Sequence, residues 1–116
     1  MPKAPQYDPD FDRRTRSLAS VFTQAGFARL LDVNASSVSR WCKGTDRPKG
    51  FNATAVVDLD YVVSRYSLEY PVETFQDWFS TPNAFLDGAT PKDVLLLEGP
   101  SRVVDALSSE TAGSYA

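Results

Sequence analysis

The stretch from Gln24 to Lys43 constrains this chain more than any other part of it. TQAGFARLL and ASSVSRWC read as two short helices on either side of the turn Asp32-Val33-Asn34. A pair of this kind needs a small residue where the helices cross, apolar residues at fixed offsets to seal them, and a polar outer face on the second helix. Ala28 is the small residue, and Phe27, Leu31, Val33, Val38 and Trp41 are the seal. Asn34 stands where an N-cap is needed, and Gln24 begins the first helix of the pair. Lys43 in the last turn, Gly44 as a left-handed stop and Pro48 just beyond mark the far end. The spacing therefore predicts a helix-turn-helix, a motif that lays its second helix in the major groove of DNA. Ser36, Ser37, Ser39, Arg40 and Lys43 remain on the outside of that helix, all able to donate to phosphates or base edges. Arg40 is the best-suited base reader. A helical pair that packs only on protein is the plainer alternative.

Charge agrees with this division of the chain. Residues 1–50 carry nine Lys and Arg against five Asp, a balance of +4, whereas residues 51–116 carry three against ten acids, a balance of −7. A basic half suits phosphate and an acidic half suits something else, although both can be read as ordinary solvated surface.

The remainder also reads as helical, so the fold class is all-α: an N-terminal helix-turn-helix bundle joined by a long helix to a small helical C-terminal domain. Residues 1–10 are expected to be a flexible arm and 11–50 the DNA-binding domain, with Leu18, Val21 and Phe22 facing inward from a first helix. Residues 51–70 form a connecting helix on which Val56, Leu59, Val63, Tyr66 and Tyr70 make one apolar stripe, ended by Pro71. The stripe fits core packing or a short helical seam with a second copy. Within residues 71–107, ETFQDWF is helical, Thr81-Pro82 is expected to cap and open a short helix closed by Gly88, and Thr90-Pro91-Lys92-Asp93 caps another. A last helix spans Ser101–Leu107, leaving residues 108–116 as a flexible tail. Trp78, Phe79 and Phe85 suit either core or exposed anchors.

Several functional classes have no support in the sequence. There is no histidine and one cysteine, Cys42, so zinc spacings and an internal disulfide cannot be assembled; Cys42 and Trp41 are assigned to packing. No nucleophile elbow, phosphate-binding glycine loop or paired-carboxylate signature is present, and we expect no enzyme, metal or cofactor. No apolar run approaches the roughly 20 residues of a membrane span and Met1-Pro2-Lys3 does not begin a secretory signal, so a cytoplasmic location is expected.

Two stretches carry a resemblance. VNASSVSRWCKGTDRP resembles the Xre/Cro type of repressor helix-turn-helix, with its Ser-x-Trp-x-x-Gly ending and trailing proline. It departs from that pattern at Asp32, where the family usually has a turn glycine, and Asp tolerates the left-handed conformation better than most residues. WFSTPNAFLDGATPKDVLLLEGPSRVVDAL resembles the toxin-binding domain of Xre/MbcA/ParS-type antitoxins through Trp78, Pro82-Asn83, Phe85-Leu86, Gly88, Pro91, Asp93 to Leu97, Gly99 and Val103-Val104. The two occur in the family's order, from about Phe22 to Leu107. The resemblance implies an antitoxin that occludes the active site of a RES-domain toxin, a consumer of NAD, and that represses its own operon by binding operator DNA as a homodimer or as a larger assembly with the toxin. It makes Asn83, Ser101, Arg102, Asp105, Ser114 and Tyr115 the candidate toxin contacts, the last two either entering a cleft or simply frayed.

Rival readings remain open at this point. A helix-turn-helix regulator of host or phage without a toxin partner uses the same recognition helix. A protein-binding module whose helical pair no longer touches DNA fits the acidic half.

Overall fold

The computed structural model describes residues 10–113. Among them there are seven α-helices, two 3₁₀ turns and no strand, as the periodicity predicts. The helices are α1 (Phe11–Phe22), α2 (Gln24–Leu31), α3 (Ala35–Lys43), α4 (Phe51–Ser67), α5 (Phe75–Phe79), α6 (Pro91–Glu98) and α7 (Ser101–Gly113), with 3₁₀ turns at Val72–Thr74 and Ala84–Leu86. The chain divides into two compact units, Met1–Val57 and Asp58–Ala116, and the division falls inside α4 rather than after Gly50. No described helix is long and apolar enough to cross a membrane.

The first unit is three short helices closed over a common core. Leu18 and Phe22 of α1, Phe27, Ala28 and Leu31 of α2, and Val38, Trp41 and Cys42 of α3 are all buried. The rings of Phe22 and Phe27 stack at 6.0 Å across the corner between α1 and α2. Val21 and Val33, both expected inside, are only half-buried, and Thr15 is buried in addition, its hydroxyl donating to the Phe11 carbonyl at 2.6 Å. A buried threonine on a helix is tolerated because that bond satisfies its hydroxyl.

The turns are made by unusual backbone. A single residue, Thr23, joins α1 to α2 at φ 68°, ψ 159°, and its Oγ1 caps α2 by accepting from the Gly26 N–H at 3.0 Å. That conformation belongs almost entirely to glycine, so a β-branched residue there is strained. Asp32 ends α2 in the left-handed region (φ 57°, ψ 49°), as the departure from glycine required. Its N–H bonds to Arg29 O and that of Val33 to Ala28 O, the paired 5→2 and 6→1 bonds of a Schellman motif. Gly44 repeats the device after α3: at φ 78° its N–H bonds to Trp41 O, and that of Thr45 to Arg40 O. Asn34 occupies the N-cap position of α3, but its side chain makes no capping bond; only its carbonyl receives Ser37 and Val38 N–H groups.

In the second unit the core is Leu59, Val62, Val63 and Tyr66 of α4, Phe75 and Phe79 of α5, Leu86, Val94, Leu95, Val103, Ala106 and Leu107. An aromatic cluster organises it: Tyr66 meets Tyr70, Phe75 and Trp78 at 5.1, 5.2 and 5.4 Å, and Phe75 stacks on Phe79 at 4.8 Å. The Tyr66 hydroxyl shares a 2.6 Å bond with Thr74 Oγ1. Helix α4 stops at Ser67, three residues before the expected Tyr70, and closes through a turn. Pro71 disfavours helical backbone at Tyr70, so the helix could not have continued through it. The short segment near Pro82 is capped by Asn83 rather than Thr81: Asn83 Oδ1 accepts from Phe85 N–H at 2.9 Å. Thr90 caps α6 as expected, its Oγ1 accepting from Asp93 N–H at 3.1 Å with Pro91 in the first turn.

Helix α7 corrects the expected tail. It continues past Leu107 to Gly113, because residues beyond Leu107 find distant partners. Glu110 accepts a 3.0 Å bond from Trp78 Nε1, and Thr111 Oγ1 lies 3.4 Å from the Tyr70 hydroxyl. These contacts join positions 32 and 41 residues apart and hold a turn whose small polar residues would not be helical alone.

Candidate functional site

On α3 the buried side is Val38, Trp41 and Cys42, which fixes the opposite side toward solvent. Ser36, Arg40 and Lys43, spaced four and three apart, are exposed along one face; Ser37 and Ser39 are half-buried beside them. Gln24 and Asn34, at the starts of α2 and α3, are exposed too. Five of the seven residues expected to meet DNA are thus exposed, and the other two, Ser37 and Ser39, are half-buried.

Arg40 is not loose. Its Nη2 donates to Ser37 Oγ at 3.3 Å and its Nε lies 3.9 Å from Asp46 Oδ2, while Lys49 Nζ is 4.0 Å from the other oxygen of the same carboxylate. Asp46 reaches this position because the Gly44 Schellman turn folds the chain back along α3. In the sequence Lys49 and Asp46 read only as charge; the turn chemistry of Lys43-Gly44 is the signal that brings them to α3. Arg16 likewise reads only as charge in the sequence. It donates to the Cys42 carbonyl at 2.9 Å and to Asp12 Oδ2 at 3.3 Å, satisfying one of the last carbonyls of α3 with a cation where the helix dipole favours one. The Arg13 backbone N–H, together with Arg16, holds the Asp12 carboxyl below its ordinary range against some desolvation. The 26-residue separation of Arg16 and Cys42 leaves no trace in the sequence.

Cys42 is buried and its thiol is pushed up by desolvation, which suits the packing role expected of it. Among the described residues no group of His, Cys, Asp and Glu is arranged to hold a metal ion.

A second accessible surface lies on the acidic unit. Ser101 and Asp105 are exposed on α7, and Arg102 bridges its surroundings: Nη1 bonds both Glu98 carboxylate oxygens at 3.2 Å and Nη2 lies 3.6 Å from Asp87. Asn83 is bound more tightly into structure than a free contact residue would be, since its side-chain oxygen caps the 3₁₀ turn and its carbonyl accepts from Leu86 and Gly88. It still lines an open groove, of about 300 Å³, that runs between the Pro82–Phe85 segment and Ala106, Ser109 and Glu110 of α7. Phe85 stands 52% exposed on this groove, whereas Phe79 is core and Trp78 is half-buried with its indole N–H held by Glu110. The structure therefore brings Asn83 to the same groove as the C-terminal half of α7, with Phe79 buried, Trp78 bonded to α7 and Phe85 exposed. Ser114 and Tyr115 lie outside the described residues.

The chain is similar to the mycobacterial cidal antitoxin MbcA of Mycobacterium tuberculosis and of Mycobacterium bovis, being 24% identical over 86 residues, which is 74% of this chain and 76% of the relative. The aligned length exceeds either compact unit, Met1–Val57 or Asp58–Ala116, so the likeness includes residues of both. No protein-family model matches the chain, and no solved structure does.

Proposed function

We propose that this protein is an antitoxin in which the first unit binds DNA through α3 and the second binds a toxin through α7 and the neighbouring groove. The observation that carries the reading is the likeness to MbcA, named as an antitoxin, over residues of both units. The chemistry of the two surfaces supports dividing the labour this way. The face of α3 offers hydroxyls, Arg40 and Lys43, which are donors for phosphate and base edges. The face of α7 offers a mixed-charge surface beside an exposed aromatic ring, the composition of an interface centre with a polar rim. Neutralisation is by occlusion of the active site of a RES-domain toxin that consumes NAD, and the antitoxin, as a homodimer or with its toxin, represses its own operon.

Co-expression with the product of the adjacent gene tests this, with complex formation and cellular NAD as readouts. A stable complex that preserves NAD is the expected result. No complex, with NAD unaffected by the neighbour alone, overturns the toxin reading and favours a DNA-binding regulator without a toxin partner, for which the exposed α3 face suffices.

A further inference from the structure

The acid at the end of the recognition helix is out of place on a surface meant for phosphate. Asp46 carries its carboxylate to within 4.0 Å of two cations, Arg40 of α3 and Lys49 of the segment after it, and is fixed there by accepting the Arg47 backbone N–H at 2.9 Å. Arg40 and Asp46 are 50% and 39% exposed, so an ion pair between them adds little to folding. Its consequence for a ligand is larger. A carboxylate beside the binding face repels backbone phosphate and partly neutralises the charges that would attract it.

The geometry of Arg40 shows what the arrangement leaves available. A guanidinium has five N–H groups in a planar fork. Asp46 faces Nε and Ser37 receives one Nη2 hydrogen, so the two Nη1 hydrogens and the second Nη2 hydrogen remain for a ligand. That edge suits two adjacent acceptors in one plane, such as O6 and N7 of guanine in the major groove. The second Schellman turn makes this possible, because it returns the chain so that the residue six positions after Arg40 meets its side chain.

We propose that Asp46 is a specificity-determining residue of the DNA face, aiming Arg40 at base edges while disfavouring indiscriminate phosphate binding by Arg40 and Lys49. The inference rests on the DNA-binding reading above. It predicts a protein that binds DNA more weakly than its cations allow but discriminates better.

The test uses the full chain, a duplex enriched from a random pool by repeated binding, and a scrambled duplex of equal length and composition. Asp46→Asn, close in shape but uncharged, is expected to tighten binding to the scrambled duplex about five-fold at low salt, with the salt slope steeper by about one charge. The enriched-to-scrambled affinity ratio should fall about ten-fold. In an Arg40→Ala background the same change should leave that ratio unmoved, which a merely structural role for Asp46 would not predict. Asp46→Glu, which keeps the charge, should keep the parent's salt slope. A ratio equal to the parent's in Asp46→Asn overturns the proposal whatever the absolute affinities. If the pool yields no duplex that the parent prefers, the DNA-binding reading itself fails; if the parent discriminates and Asp46→Asn does so equally well, only the role of Asp46 falls.

Discussion

The two compact units are held in different ways. In the first, the connections between helices are set by residues close in sequence: Thr23 caps α2, Asp32 and Gly44 turn the chain in left-handed conformations, and an apolar side every three or four residues meets the other helices. In the second, the decisive contacts are distant, with Tyr66 at the hub of an aromatic cluster and Glu110 and Thr111 of α7 tied to Trp78 and Tyr70. Features that depend on residues within a turn of one another can be read from the sequence; contacts between distant positions cannot.

The contrast predicts where each unit is fragile. Trp41→Ala should have the largest effect, a loss of about 3 to 5 kcal/mol, because the ring is 4% exposed and its removal opens a cavity in a small core. Denaturant unfolding would register it as a lowered midpoint. A loss below about 1 kcal/mol would mean the first unit does not depend on this ring.

Glu110→Ala should act locally and more weakly. Losing the bond to Trp78 removes about 1 kcal/mol and frees the last turn of α7, so amide exchange should accelerate from about residue 108 onward while the core of α5 stays protected. Uniform acceleration across the second unit would instead make Glu110 part of its global stability.

Thr23 separates strain from capping. Thr23→Ala keeps the strained backbone and loses the cap, for an expected loss of about 1 kcal/mol; Thr23→Gly loses the cap at little cost and relieves the strain. The glycine variant should therefore melt above the alanine variant, and above or level with the parent. Thermal unfolding of the three proteins decides this, and a glycine variant below the alanine one would refute the strain.

The smallest effects concern two carboxyl groups shifted in opposite directions. Asp12, held below its ordinary value of 3.8 chiefly by the Arg13 N–H, adds stability at neutral pH that is lost as the pH falls below about 3.8. Asp58, raised by desolvation, binds its proton more readily when folded and so detracts from stability at neutral pH, an effect that fades as the carboxyl becomes protonated on acidification. Asp12→Asn should destabilise and Asp58→Asn stabilise at pH 7, and both differences should shrink in acid. Equilibrium unfolding across pH provides the check.

How much the sequence disclosed follows the same line. The positions of α2 and α3, the left-handed Asp32, the Gly44 stop and the Thr90 cap were all legible, because each depends on residues within a turn of one another. The exposed face of α3 followed from the buried one. What stayed hidden needed the folded chain: the Arg16 bond to Cys42 O, the place of Asp46 beside Arg40, and the extension of α7 to Gly113. Asn83 was singled out as a contact residue, yet its side-chain oxygen caps the 3₁₀ turn, a role that its place before Ala84–Leu86 made available and that Thr81-Pro82 obscured.

As proposed, DNA binding and toxin binding reside on separate faces, α3 and α7. The most direct measurement co-expresses the adjacent gene's product with Arg40→Ala or with Asp105→Arg, both exposed positions, and scores cell survival alongside repression of a reporter under the operon's promoter. Arg40→Ala should protect cells but lose repression, base-contact loss being worth about 1 to 3 kcal/mol, and Asp105→Arg should repress through its own DNA face but protect poorly. If folded Arg40→Ala and Asp105→Arg proteins each lose both activities together, or neither loses any, the separation of faces is wrong.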